Sequence, residues 1–331
     1  MTTQPPEAHT APAPNRVSLI PTSELKIDDV SPDPEVAQPD PIDEPVGTAA
    51  LPSPPVPRVW PLALAMAVLV VVVVLGHLAV MLAEMARFRM QHPDVGSDTA
   101  ALERHFRAWV ETPTGLLTLA IPSTVATLAV AGLAGLLSKI PLRERLRLGQ
   151  AKLTSRGFAA AVVGGLALGG IATAVIELAG LEQHGALAHM NKALAHVSGG
   201  HLVAAIAVLG LLAGVAEEVF FRGYCQSRLS QRWGRWPAIA VAAVAFGAIH
   251  ADWIQSPFAV VFGLWMGWVA ERGGSVWPTV VAHVANNTLS TVGVAWWPGT
   301  SSTAVNLATL VAGLTVLLGC WSVLVREPEG Q

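Results

Sequence analysis

The chain has 331 residues, of which 52% are hydrophobic and only 13% charged, about half the charged fraction of a soluble domain. With a formal net charge of −3 and no basic patch interleaved with aromatics, nucleic acid is excluded as a partner. The two cysteines, Cys225 and Cys320, lie in or beside apolar segments and lack the spacing of a disulfide framework or a zinc ribbon. They read as small core hydrophobes.

Taken in chain order, residues 1–57 come first. Proline recurs from Pro5 to Pro57, acids dominate (Glu24, Asp28, Asp29, Asp33, Glu35, Asp40, Asp43, Glu44), and no aromatic occurs. Such a segment buries too little apolar surface to offset its ordering entropy, so a disordered tail is expected. It lacks the basic start and early apolar core of a signal peptide.

A hydrocarbon core of roughly 30 Å takes about 20 apolar residues in helix. Eight segments approach that measure, at about 59–83, 115–138, 157–181, 200–222, 236–252, 256–271, 276–297 and 303–325. The fold class expected is therefore an all-α integral membrane protein with about eight transmembrane helices and a disordered N-terminal tail. Residues 58–114 form the first span and an extramembrane loop.

Lys139, Arg143, Arg145, Arg147, Lys152 and Arg156 follow span two, and Arg228, Arg232 and Arg235 follow span four. With eight spans both groups share one side, and the positive-inside rule makes that side, with both termini, cytoplasmic. Arg87, Arg89, Arg104 and Arg107 then lie outside, interleaved with Glu84, Asp94, Asp98, Glu103 and Glu111. His184, His189, His196 and His201 precede span four at spacings that repeat neither a helix nor a zinc finger. Leu187, Met190, Leu194 and Val197 instead mark an amphipathic interfacial helix with histidines on its wet side.

Ionisable groups inside apolar spans are costly and usually functional. Span four carries Glu217-Glu218-Val219-Phe220-Phe221-Arg222, span five ends with Phe246-Gly247-Ala248-Ile249-His250, and span seven holds His283 and Asn287. Glu218 and Arg222 are i,i+4 neighbours and read as a structural ion pair. Glu217 lies about 100° further round and faces something else. His283 and Asn287 are likewise i,i+4.

Glu217 precedes the Gly234 turn by 17 residues and His250 follows it by 16, so each lies roughly 25 Å along its helix from that turn. Antiparallel packing brings them to one level, and His283 and Asn287 reach a similar depth from Gly274. A carboxylate beside an imidazole can hold and deprotonate water, while an imidazole and an amide suit an oxyanion. The expectation is a hydrolytic site: Glu217 with His250 activates water, and His283 with Asn287 stabilises the tetrahedral intermediate.

These motifs, Glu-Glu-x-x-x-Arg at 217–222, Phe-x-x-x-His at 246–250 and His-x-x-x-Asn at 283–287, resemble those of the CPBP family of intramembrane proteases, the CAAX prenyl protease and bacteriocin-processing group. The resemblance covers residues 200–300 well and 115–200 only in general character. It implies a protease domain over 115–326, a membrane-associated protein or peptide as substrate, and the bacterial cytoplasmic membrane as location. It carries water activation to Glu217 and His250, and oxyanion stabilisation to His283 and Asn287. Members are described both as metalloproteases and as metal-free glutamate enzymes. Here no His-Glu-x-x-His occurs and Asn is a poor zinc ligand, so the glutamate type without a cofactor is expected. The zinc alternative would use Glu217, His250 and His283 as ligands, with water as the fourth.

Two other classes share these features. A non-catalytic scaffold or bacteriocin-immunity-type factor would keep its phenotype after loss of His250 and His283. A transporter also places paired acids in a span, but no inverted repeat or pair of broken helices supports it.

Overall fold

Every regular element among the described residues, 58–96 and 98–327, is a helix in the computed structural model. The expectation of a disordered tail over 1–57 falls outside the described residues. The first helix, α1 (Trp60–Gln91), has 32 residues and so runs about 48 Å. It overhangs a hydrocarbon core, which explains why it outlasts the apolar stretch that foretold it. Past a single 3-10 turn (Pro93–Val95), α2 (Thr99–Val110) opens on Asp98, whose carboxylate accepts from the Ala100 and Ala101 amides. Buried Glu84 of α1 then meets Arg87 at 2.7 Å and His105 of α2 at 2.8 Å.

Helix α3 (Pro113–Leu136) starts at Thr112, whose hydroxyl caps the Gly115 amide ahead of a proline-containing first turn. Such caps satisfy amides that have no partner within the helix. The short α4 (Leu142–Arg145) leads to α5 (Ser155–Leu178), capped by Thr154 in the same manner. Next, α6 (Gly185–Leu194) stands where the amphipathic interfacial helix was expected. His184, His196 and His201 are exposed, and half-buried His189 lies 2.9 Å from Glu111.

The rod Gly199–Trp233 follows, 35 residues long. It is built from α7 (Gly199–Ala205), a π segment (Ile206–Leu212), α8 (Ala213–Glu218), a second π segment (Val219–Gln226) and α9 (Ser227–Trp233). π turns are rare and concentrate at functional sites. Both glutamates fall at the end of α8, between the two. Gly234, at φ +81°, stops the rod, because few residues with a Cβ tolerate that backbone. Then come α10 (Arg235–Ala248), α11 (Gln255–Gly273), α12 (Trp277–Trp296) and α13 (Thr303–Val325).

Helices therefore stand at all eight expected places, but among the described residues only five are long and apolar enough to cross a membrane: Trp60–Gln91, Pro113–Leu136, Ser155–Leu178, Gly199–Trp233 and Thr303–Val325. The expectation of eight crossings is met in part. At 14 residues, α10 extends about 21 Å, short of a hydrocarbon core. Helices α11 and α12 are long enough, but Glu271 and Arg272, and His283, Asn286 and Asn287, dilute their apolar character.

Packing gathers the polar helices around the rod. Helix α5 lies along α13 and α12, α10 pairs with α11, α1 with α3, and α12 crosses both π and α segments of the rod. Small residues permit the close approaches, as is usual between membrane helices. A Cβ on Gly164 would lie 2.1 Å from the Trp265 ring, and one on Gly214 would lie 3.0 Å from Val284.

Candidate active site

Glu218 is completely buried and Arg222 nearly so. Arg222 Nη1 donates to Glu218 Oε1 at 2.9 Å, and Nη2 donates to the Gly263 carbonyl of α11 at 3.3 Å. A buried charge needs such a partner, since removing one member of a pair leaves the other uncompensated. The absence of a side chain at Gly263 makes the second bond feasible: a Cβ there would stand 3.3 Å from Arg222 Nη2.

The same Glu218 oxygen lies 2.8 Å from His283 Nδ1 on α12. A carboxylate only accepts, so the proton of that contact sits on Nδ1. His283 Nε2 is thereby aimed outward, and it lies 3.6 Å from Glu217 Oε2. Of the two carboxylates, Glu217 is the accessible one: its side chain keeps 21% exposure against 0% for Glu218. One imidazole thus sits between a buried, paired carboxylate and a half-open one.

Phe246 joins the three motifs. Its ring lies under the Arg222 guanidinium at 4.5 Å, within cation–π range. It also stands edge-on to His283 at 5.8 Å and to His250 at 5.0 Å, and Phe262 adds a second edge contact to His283 at 5.1 Å. The phenylalanine of Phe-x-x-x-His is therefore a spacer between the ion pair and both imidazoles. His250 Nδ1 lies 2.8 Å from the Phe246 carbonyl. Because a carbonyl only accepts, Nδ1 carries the proton and Nε2 offers a lone pair.

Asn287 Nδ2 donates to the Leu209 carbonyl at 3.1 Å, inside the first π segment. Asn286, which the sequence reading passed over, donates to Asn287 Oδ1 at 3.4 Å. It fits only because Gly169 has no side chain: a Cβ there would stand 1.9 Å from Asn286 Oδ1. A glycine inside an apolar span opposite an asparagine was the available signal.

Arg222, Glu218 and His283 thus form one bonded chain, with Glu217 lying 3.6 Å from His283 at its end. His250 adjoins it through Phe246, and its hydrogen bond goes to backbone rather than to Glu217. Asn287 reaches it from the next turn of α12. Zinc has a partial fit: both imidazoles commit Nδ1 and leave Nε2 available, as metal-ligating histidines do. Among the described residues, however, no three His, Cys, Asp or Glu side chains gather into a metal-holding group. Glu217, His250 and His283 do not form one, and no step below passes through zinc.

Helical throughout its described residues, with five apolar helices of membrane length and a buried Glu-Arg-His cluster, the chain is an integral membrane protein. The family model described as type II CAAX prenyl endopeptidase, Rce1-like, matches residues 199–289. That segment runs from the start of the rod into α12 and contains all three motifs, so the resemblance read from them holds for this Rce1-like domain. The match supports a CAAX-type intramembrane protease in general terms. No curated protein and no solved structure matches the chain.

Proposed function

We propose that the chain is an intramembrane endopeptidase that hydrolyses a peptide bond in a protein or peptide segment at the membrane, with Glu217 as the water-activating carboxylate. The observation that carries this reading is the 3.6 Å approach of half-exposed Glu217 to His283, an imidazole whose other nitrogen is held by buried Glu218.

With Nδ1 protonated, a neutral His283 presents a lone pair to a carboxylate oxygen. Two acceptors that face each other need a proton between them. Glu217 and His283 are thus a pair built to hold one proton and pass it on. Glu217, with the His250 Nε2 lone pair beside the site, takes a proton from water. The water oxygen attacks the peptide carbonyl carbon, and the new C–O bond pushes charge onto the carbonyl oxygen. Asn287 has one amide hydrogen left after its bond to Leu209 and opposes that charge together with the pair's proton, carried on His283 Nε2 so that Glu217 is free as the base. When the C–N bond breaks, the pair's proton goes to the departing amine, and the proton from water restores the pair.

The basic segments 139–156 and 228–235 place those loops on the cytoplasmic face in this reading, in a bacterial cytoplasmic membrane crossed by eight helices, with both termini inside. The test compares membrane proteomes of cells carrying the wild type and Glu217→Gln. One uncut membrane-associated protein should accumulate in the variant, and purified wild type should cleave it. Equal cleavage by Glu217→Gln would remove the assigned base, and inhibition by a chelator, restored by zinc, would favour the metal alternative.

A further inference from the structure

Away from the Glu217 cluster, a second unusual group sits where α4 lies flush on the rod. The Leu146 backbone approaches Gly223 so closely that a Cβ there would stand 2.6 Å from the Leu146 carbonyl oxygen. Ser227 Oγ of the rod also donates to the Arg145 carbonyl at 3.4 Å. This contact holds Arg145 in a buried position, at 7% exposure. Its Nε donates to Ser138 Oγ at 2.9 Å, but Nη1 is buried and has no hydrogen-bond partner.

Arg228 stands beside it. Its Nε donates to the Arg58 carbonyl at 2.9 Å and its Nη1 to Tyr224 Oη at 3.1 Å, with the guanidinium 5.6 Å from the Tyr224 ring. Neither guanidinium pairs with a carboxylate among the described residues. Burial, and then the charge of Arg228, hold the Arg145 guanidinium below the ordinary arginine value. Lys139 and Arg143 are exposed close by in sequence, as is Arg58, whose carbonyl Arg228 bonds; Glu144 beside Arg145 is exposed and offsets only part of the lowering. A buried, partly unsatisfied charge facing a like charge is costly unless something anionic completes it.

We propose that Arg145 and Arg228 form a binding site for the phosphate of an anionic phospholipid headgroup. Planar guanidinium forks match phosphate oxygens, and basic pockets between the ends of membrane helices take lipid headgroups. The position selects lipid over free anion. Just before α4, Leu136 and Leu137 are 66% and 86% exposed, so an apolar, lipid-facing surface ends where the two guanidiniums begin. A diacyl phospholipid satisfies both at once, with chains along α3 and phosphate on Arg145.

The test uses the full chain, purified and stripped of lipid in a neutral detergent. It is titrated with phosphatidylglycerol, phosphatidylcholine or inorganic phosphate, and bound lipid is read by native mass spectrometry alongside the thermal unfolding midpoint. Phosphatidylglycerol should bind and raise the midpoint, and Arg145→Gln with Arg228→Gln should weaken that binding by roughly tenfold or more. Arg228→Gln alone, at a half-buried position, carries the test if Arg145→Gln does not fold. Arg104→Gln, in the other basic segment, should bind as the wild type does. Equal binding of phosphatidylcholine, equal protection by inorganic phosphate, or undiminished binding by the folded Arg228→Gln variant would each overturn the site.

Discussion

Two polar clusters join the rod to its neighbours, and they end differently. Near the Gly234 end, Glu271 of α11 accepts from Arg147 at 2.8 and 3.3 Å, from Gln226 at 2.9 Å and from Ser230 at 3.3 Å. Both of its oxygens are used, and Gln226 also donates to the Gly267 carbonyl. Deeper along the same rod, Arg222 and His283 both bond Glu218 Oε1 while the buried Oε2 has no hydrogen-bond partner, and the chain runs on to Glu217, whose approach to His283 is longer than a hydrogen bond. One network uses both oxygens of its carboxylate to hold helices together, with only Gln226 Oε1 left buried and unpartnered. The other leaves an accessible carboxylate at its end, 3.6 Å from the imidazole. An accessible carboxylate at the end of a polar network separates a site from a staple, even where residue types are alike.

Breaking the open end should have the largest effect. Glu217→Gln keeps shape and removes the charge, so peptide cleavage should fall by about 10²- to 10⁴-fold, the range lost with a general base. The thermal midpoint should stay near that of the wild type. A variant that cleaves normally would make the Glu217 cluster a second staple. Next comes Glu218→Ala, which leaves Arg222 buried and unpaired and should cost about 3–5 kcal/mol of stability. Combining Glu218→Leu with Arg222→Met removes both charges and should recover most of that loss, since apolar replacement of a buried pair is often neutral or better. Cleavage should not return, because nothing then aims His283. Recovery of both properties together would mean that Glu218 only stabilises.

The Glu271 cluster supplies the contrast. Glu271 and Arg147 keep 14% and 18% side-chain exposure, so water relieves part of any loss there. Glu271→Ala should cost about 1–3 kcal/mol, as measured by unfolding in detergent, while each folded molecule cleaves at the wild-type rate. A selective loss of cleavage would tie this end of the rod to the chemistry.

Much of this architecture was legible in the sequence because apolar runs of helical length announce themselves. Counting residues on either side of Gly234 gave Glu217 and His250 one expected depth. The i,i+4 relation of Glu218 and Arg222 already joined them. What spacing alone could not supply is the rotation of one helix about its axis relative to another. Spacing therefore left open which face each helix presents, and the fold turns His283 toward Glu217 and Glu218 together. The π segments contribute to the difference, since each wide turn rotates the following residues away from the α register. Asn286 and Arg145 stayed hidden for a related reason: one depends on a glycine of another helix, the other on a loop laid against the rod. Helix α2 was missed because its charged faces resemble a loop.

A half-buried carboxylate completes the comparison. Glu111, before α3, lies 2.9 Å from both Lys192 and His189 of α6, and it is the Lys192 ammonium, then the His189 imidazole, that hold its carboxyl below the ordinary value of 4.5. A depressed carboxyl pKa contributes stability above the unfolded value, and that contribution is lost as pH falls through the folded one. The attachment of α6 should therefore be constant at neutral pH and weaken only below about pH 4.5. Salt should weaken it further, because exposed pairs are screened. Hydrogen exchange of the α6 amides, measured against pH in wild type and Glu111→Gln, reads this directly. The variant should show slightly faster exchange at neutral pH and lose the acid-dependent step. An unchanged step in Glu111→Gln would assign it to another group, with Asp252, which accepts from the Ala186 amide at 2.6 Å at the start of α6, the next to test.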